Sequence, residues 1–138
     1  MTTHAAVVTA SLRGPLQVIQ VPTIKPSDGE VLVNVKFTAS TPLDLHQNDG
    51  GLLVTTYPQV LGDSMAGVVV ELGEGIKDLK IGDKVCVTTI TKLVNEGTFL
   101  TRSLQVFGYL WREQKEKGQQ EYVTVSEYLL GKVRYITI

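Results

Sequence analysis

Cysteine is nearly absent from this sequence, which has a single thiol, Cys86, among 138 residues. One thiol cannot form an internal disulfide, and it cannot supply a zinc site built from several cysteines. The disulfide-stabilised scaffolds of small secreted proteins are therefore excluded, and the fold must rest on a hydrophobic core. In such a domain we expect Cys86 to be a small buried apolar residue and not a nucleophile.

An excess of charge and a long apolar run are also missing. Lys and Arg number 13 and Asp and Glu number 14, so the net charge of −1 gives no strong attraction to nucleic acid or anionic membranes. The apolar runs are far shorter than the roughly 18 residues of a membrane span, and the N-terminal residues lack the pattern of a secretory signal. The composition, 43% hydrophobic and 20% charged, is typical of one soluble globular domain. We expect a cytoplasmic protein with neither a nucleic-acid nor a membrane partner.

Short β-type segments separated by turns dominate what remains. In the segment 30–39, Val31, Val33, Val35 and Phe37 alternate with other residues, a period of two that predicts a strand with one buried face. Further strands are predicted at 4–10, 16–21, 66–72, 84–91 and 120–125, and helix only at 42–47 and in part of 104–117. Many short strands with turns between them favour a small β-barrel.

Gly73 and Gly75 form a Gly-x-Gly pattern that invites comparison with a dinucleotide-binding loop. That fingerprint requires a third glycine three residues further on, at the start of a helix, and the residue there is Asp78. The pattern therefore predicts a turn after a strand. The sequence also contains no P-loop, no HExxH motif and no nucleophile elbow.

Two histidines and two aspartates are the polar residues that could form a site. His46 lies two residues after Asp44 in a segment begun by Pro42, and it could relay protons or bind a metal. The pattern favours the simpler interpretation, a surface segment with a capping Asp. His4 is expected to be exposed and without function. Asp63 could line a cleft, or it could satisfy the backbone of its own turn, and the same two interpretations apply to Asp44.

Several longer motifs resemble a known family. The sequences YPQVLGDSMAGVVVELGEG at 57–75 and LKIGDKV at 79–85 resemble the signature of the medium-chain dehydrogenase/reductase superfamily. The segment 40–46 matches its cleft loop, and 119–125 resembles a later strand of the same domain. The resemblance implies a mainly β fold over 1–138, the GroES-like, partly open β-barrel of the N-terminal domain of alcohol dehydrogenases, with few short helices.

The resemblance also has implications for metal and cofactor. In the zinc-containing members, a Cys of the cleft loop and the His of a Gly-His-Glu motif hold the catalytic metal. This sequence has Thr41 and Asp63 at those positions and Ser64 in place of the Glu, a poor set for zinc, so no metal is expected. The chain resembles the zinc-independent branch, the quinone oxidoreductases and fungal enoyl-reductase-like proteins. These reduce a polarised C=C or C=O of a small substrate with NADPH.

In that family a Rossmann domain follows the barrel and holds most of the cofactor. The resemblance therefore implies an N-terminal catalytic-domain fragment that is inactive alone and binds no NADPH. Thr41 and Asp44 would contact the nicotinamide and the substrate in a full-length relative, and Asp63 would line the same cleft; no catalytic residue is assigned.

A fragment of this kind would leave its cleft face bare. That face is expected to comprise five residues: Thr41, Leu43, Leu45, Leu61 and Asp63. Because exposed apolar surface promotes association, we expect a monomer or an aggregation-prone chain.

Two other functions share the fold. The chain could be a standalone GroES-like module that binds a small apolar ligand or a protein partner through the cleft. It could also be a co-chaperonin subunit, although that class lacks the cleft motif.

The resemblance is interrupted at 86–105, which could be a translated intron or an insertion. Removing residues 85–105 joins Lys84 to Val106 and restores the family-like sequence GDKVFG. The first interpretation is a retained short intron, as in a filamentous fungus; the second is a lineage-specific insertion together with a natural truncation. If the segment is a translated intron, we expect 86–106 to pair poorly with the barrel.

Overall fold

The fold is a computed structural model that describes residues 2–87 and 114–133. Its strands are β1 (Thr3–Thr9), β2 (Leu16–Pro22), β3 (Glu30–Thr38), β4 (Gln59–Val60), β5 (Met65–Leu72), β6 (Lys84–Val87), β7 (Tyr122–Ser126) and β8 (Leu130–Lys132). One α-helix, α1 (Pro42–Gly50), and two 3₁₀ turns, Gln114–Glu116 and Glu127–Leu129, complete the described elements. The predicted mainly β fold class is confirmed.

The strands form two antiparallel sheets. One has the order β2-β1-β4 and the other the order β7-β3-β5-β6-β8. The two edge strands of the larger sheet, β7 and β8, are joined by only the turn Glu127–Leu129, so that sheet must curl until its edges approach each other. This curl gives the partly open barrel that the resemblance implied.

The hydrophobic core lies inside the curled sheet. Its fully buried side chains are mainly valines, whose β-branched shape suits a pleated surface. They are Val31, Val33, Val69, Val85, Val123 and Val125, with Met65, Leu79, Val87 and Leu130 packed beside them. A second, smaller cluster of Ala6, Val8 and Val60 lies in the three-stranded sheet.

Strand β3 departs from the simple alternation. Val31 and Val33 are fully buried as predicted, but Leu32 is buried as well, and Phe37 is 55% exposed. The pairing of β3 with β5 shifts register after Leu32 and again after Val35, and such bulges turn a strand away from regular pleating. Pairing with β7 ends at Asn34, so the last part of β3 leaves the core.

The other elements mostly follow the predictions. The strands predicted at 4–10, 16–21, 66–72 and 120–125 are β1, β2, β5 and β7 within two residues, and the predicted helix at 42–47 continues to Gly50. Residues 73–75 form a turn, in which Gly75 has φ +73°. Of the segment 104–117, the described part contains the turn Gln114–Glu116, and 104–113 lie outside the described residues.

The expectation of poor pairing at 86–106 is wrong for its first two residues. Cys86 and Val87 belong to β6 and pair with β5 on one side and with β8 on the other. Val87 is also 2% exposed and belongs to the core. Two flanking strands thus fix this end of the segment, while 88–106 lie outside the described residues.

A short segment, 118–121, connects the two sheets. The backbone N–H of Val7 donates to the carbonyl of Gln119, and that of Glu121 donates to Ala5. On its other side, the N–H of Gln119 donates to Leu61, and Val35 donates to Glu121. This segment therefore bonds to β1, to the residue after β4 and to β3 together.

One ion pair fastens the turn Gln114–Glu116 to the start of β3. Lys115 Nζ lies 2.7 Å from Glu30 Oε1. Burial acts to raise the pKa of Glu30, but hydrogen bonds from Lys115 and Ser27 outweigh it, so this pKa lies below its ordinary value of 4.5.

No helix of residues 2–87 and 114–133 is long and apolar enough to cross a membrane.

Gly62 is a position where only glycine fits. Its φ is +101°, and an added Cβ would lie 2.5 Å from the backbone nitrogen of Gln119. We expect Gly62→Ala to lower the free energy of unfolding by more than about 2 kcal/mol, because strain and clash add. Gly50→Ala is the matched control: it lies in α1 with no atom within 4 Å of its Cβ, and it should be neutral or stabilising by up to about 1 kcal/mol. Urea unfolding of both variants tests this, and equal effects would contradict it.

The lowered pKa of Glu30 makes a pH-dependent contribution to stability. This contribution is complete above the ordinary pKa of 4.5 and is lost as the pH falls through the lower folded-state pKa. Glu30→Gln should therefore cost up to about 1 kcal/mol at neutral pH, and the difference from wild type should shrink below pH 4.5. Urea unfolding across the pH range measures it. Glu74→Gln, at an exposed turn, should show no such convergence.

Candidate functional site at the start of helix α1

The sequence itself defines where α1 begins. Thr41 is the N-cap in an extended conformation, Pro42 is the first helical residue, and Asp44 stands three residues after the cap. Asp44 Oδ2 accepts a hydrogen bond of 2.9 Å from the backbone N–H of Thr41. The helix ends at Gly51, whose left-handed φ of +66° is a common C-terminal signal.

The carboxylate of Asp44 binds two further segments. Its Oδ1 accepts from the backbone N–H of Gly62 at 2.9 Å, and its Oδ2 also accepts from Gln119 Nε2 at 2.9 Å. The residue is 7% exposed, and a buried carboxylate of this kind is tolerable because each hydrogen bond offsets its lost hydration. Asp44 therefore joins the helix start, the turn after β4 and the segment 118–121.

A pocket of about 200 Å³ lies at this junction. It is lined by Leu16, Ser40, Thr41, Asp44, Leu45, Asn48, Leu61 and Gln119. Thr41 Oγ1 is buried and has no hydrogen-bond partner among the described residues. The pocket thus combines apolar walls with a residue whose buried hydroxyl has no partner among the described residues.

The predicted site residues divide between pocket and turn. Thr41 and Asp44 lie together in the wall of the pocket, whereas Asp63 is not among the lining residues. Asp63 is half-buried, and its Oδ1 is buried without a partner among the described residues. Both interpretations of Asp44 apply, because its carboxylate accepts hydrogen bonds from backbone N–H groups and the residue also lines the pocket.

The expected bare cleft face is only partly exposed. Leu45 is 59% exposed, but Leu61 is 1% exposed, so the prediction that Leu61 lies on an uncovered surface is wrong. Its backbone carbonyl bonds to Gln119, which draws the residue into the junction between the sheets.

The prediction that His4 is exposed is also wrong. His4 is 4% exposed; its Nδ1 lies 2.7 Å from Thr23 Oγ1 and its Nε2 lies 2.9 Å from Gln120 Oε1. The ring also packs edge-to-face against Tyr122 at 5.6 Å. The signal was in the sequence, because His4 is in phase with Ala6 and the other inward residues of β1.

His46 and Cys86 offer little chemistry. His46 is exposed on α1, as the surface interpretation predicted. Cys86 is half-buried in β6, and burial raises the pKa of its thiol, which keeps it protonated and unreactive near neutral pH.

Sequence reasoning missed Gln119, the residue that completes the site. The sequence places it only at the start of the family-like segment 119–125, yet its side chain contacts Asp44 across 75 positions of the chain. No local pattern marks such a contact.

The residues present do not fit a catalytic zinc ion. Within the described ranges, no three His, Cys, Asp or Glu side chains are grouped so that they could hold a metal. Of the two positions where zinc ligands stand in zinc-containing members, one carries the hydroxyl of Thr41, and the other carries Asp63, outside the pocket wall.

The curled antiparallel sheet with a pocket at the start of its one helix defines a GroES-like β domain. The family model of the alcohol dehydrogenase GroES-like domain matches residues 27–135. The chain therefore belongs to this family, the N-terminal domain of medium-chain dehydrogenases/reductases.

Individual relatives agree with this assignment. The chain is 45% identical over 74 residues to the trans-enoyl reductase tndF of Aspergillus flavipes, a match covering 53% of this chain and 21% of that protein. It is 32% identical over 121 residues to an S-(hydroxymethyl)glutathione dehydrogenase of Photobacterium damsela subsp. piscicida, covering 88% and 32% respectively. The chain thus matches about a fifth to a third of the length of these relatives.

A solved structure shows the same fold. The thermostable alcohol dehydrogenase from Pyrobaculum aerophilum superposes with a TM-score of 0.80 at 24% identity, covering 98% of this chain and 42% of that one.

The role of Asp44 as a junction is testable by substitution. Asp44→Ala leaves the N–H groups of Thr41 and Gly62 and the amide of Gln119 without their acceptor, so the free energy of unfolding should fall by about 3 kcal/mol. Asp49→Ala, on an exposed position of the same helix, is the control. Because a carboxylate near a helix C-terminus is unfavourable, it should be neutral or slightly stabilising. Thermal and urea unfolding would contradict the role if both variants lost similar stability.

Proposed function

We propose that the chain is the catalytic-domain part of a zinc-independent, NADPH-dependent oxidoreductase that reduces a C=C or C=O bond of a small substrate. The domain extends over 1–138, with 86–105 as a translated intron or an insertion, and the protein acts in the cytoplasm. Family membership supports the oxidoreductase class, and the match to a trans-enoyl reductase supports the reaction type.

The observation that carries the proposal is the unpartnered hydroxyl of Thr41 in the pocket wall. When a carbonyl or enone accepts a hydride, negative charge develops on its oxygen. A fixed O–H donor stabilises that charge without a metal, as an oxyanion hole does. Thr41 is the residue that would bind the substrate oxygen.

Asp44 makes this donor rigid. Because Asp44 bonds the backbone N–H of Thr41, the main chain that carries the hydroxyl is fixed. The carboxylate of Asp44 already accepts three hydrogen bonds, so it competes little with a substrate oxygen for the hydroxyl hydrogen of Thr41. Leu16, Leu45 and Leu61 contribute apolar wall, which limits the competition of water for the substrate oxygen.

The described residues do not form a cradle for the cofactor. The Gly73–Gly75 turn follows strand β5 and is not followed by a helix, so it offers no helix N-terminus to a pyrophosphate. NADPH would have to be held mainly by residues beyond those that the structure describes.

A standalone binding module is the second candidate. It is favoured by the fact that described residues of this chain alone enclose the pocket. Such a module would bind a small apolar carbonyl compound and would need no cofactor.

A substitution at Thr41 tests whether its hydroxyl binds the oxygen of a carbonyl that is being reduced. We expect the 138-residue chain alone not to reduce an enone with NADPH. The protein with codons 85–105 removed and the following reading frame restored should reduce it. In that protein Thr41→Val, which keeps the shape but removes the donor, should lower kcat/KM about 10-fold to 100-fold. Thr41→Ser should retain most of the activity.

Ser40→Ala is the control, since Ser40 lines the same pocket next to Thr41. Activity should be unchanged by a chelator. A stoichiometric zinc ion that the activity needs would overturn the proposal, and so would an unimpaired Thr41→Val variant. Ligand binding with no reduction in either protein would favour the binding module.

A further inference from the structure

A second cavity, an open groove of about 310 Å³, lies beside the pocket of the proposed site. We call it the β2–β3 groove; it is lined by Ala5, Ala6, Val7, Val18, Val35, Lys36, Phe37, Thr38, Gln119, Gln120 and Glu121. Its lining is mostly apolar. Val18 and Phe37 are 70% and 55% exposed, so their side chains present apolar surface that a ligand in the groove can contact.

The groove and the pocket share their walls along three parts of the chain. Strand β2 contributes Leu16 to the pocket and Val18 to the groove. The end of β3 contributes Phe37 and Thr38 to the groove, and the residues that follow contribute Ser40 and Thr41 to the pocket. Gln119 lines both cavities, so the two are neighbours.

The direction of this arrangement suits an extended ligand. Leu16 and Val18 are two residues apart on one strand, so they point to the same face about 7 Å from each other. A ligand whose polar end is bound at Thr41 would therefore pass Leu16 and Gln119 and reach Val18 and Phe37.

We propose that the β2–β3 groove is an extension subsite that binds a straight apolar chain attached to the carbonyl group held at Thr41. The inference rests on the proposed function, because the position of the carbonyl defines where the chain starts. The groove is suited to such a chain because its walls offer valine and alanine surface with one aromatic ring. Lys36 and Glu121 are the charged residues of its lining.

A chain-length series tests the subsite on the 138-residue protein itself. Straight-chain methyl ketones from butanone to decanone are suitable probes, because they carry the same carbonyl group and differ only in the length of the apolar chain. Their affinities can be measured by NMR titration, which also reports the folded state of each variant. Affinity should rise about twofold to threefold per methylene group, less than for full burial because the groove is open.

Two variants and a control locate the effect. Val18→Asp and Phe37→Ser change exposed side chains of the groove, so the gain per methylene should fall nearly to none while butanone binding stays unchanged. Ile81→Asp is the matched control, because Ile81 is 64% exposed and lies outside both cavities. It should keep the full chain-length dependence.

The outcomes separate this inference from the proposed function. In one outcome, Thr41→Val weakens butanone binding about fivefold, but affinity does not rise with chain length. This result would overturn the subsite and leave the carbonyl site in place. A chain-length gain that Val18→Asp and Ile81→Asp alter equally would also overturn it. Chain-length gains with no effect of Thr41→Val would contradict the placement of the carbonyl and thus the proposed function.

Discussion

The hydrogen bonding of the Asp44 carboxylate is the constraint on which the rest of the site depends. Three donors converge on two oxygens: the backbone N–H of Thr41, the backbone N–H of Gly62 and the side-chain amide of Gln119. These donors come from the helix start, the turn after β4 and the segment that joins the two sheets. A buried charge needs all of its partners, so each segment must take one position relative to the others. The geometry of the pocket follows from this requirement.

The same constraint leaves a free hydroxyl. A threonine at an N-cap often bonds to its own helix, but here Thr41 Oγ1 is buried and unpartnered while Asp44 accepts from the Thr41 backbone. A fixed donor in an apolar wall can stabilise negative charge on a ligand oxygen. The proposed reduction of a carbonyl would rest on this hydrogen bond.

The segment 118–121 connects architecture to chemistry. Its backbone bonds to β1, β3 and the residue after β4, and Gln119 lines both the pocket and the β2–β3 groove. The close packing here requires glycine at 62 and also at 118, where an added Cβ would clash with the carbonyl of Ser64. A substitution in this segment would therefore affect stability and ligand preference together.

The sequence by itself determined the local elements: alternation located most strands, Pro42 and Asp44 marked the start of α1, and the missing third glycine identified 73–75 as a turn. Its motifs also indicated the family and brought Thr41 and Asp44 forward. Only the tertiary structure decided that Leu61 is buried, which polar groups His4 bonds to, that β3 bulges outward towards Phe37, and that Gln119 completes the site. The physical reason is range. Propensity and periodicity act over a few residues, whereas the Gln119–Asp44 bond spans 75 positions and the His4–Gln120 bond spans 116. Contacts of that kind form only when the two sheets meet.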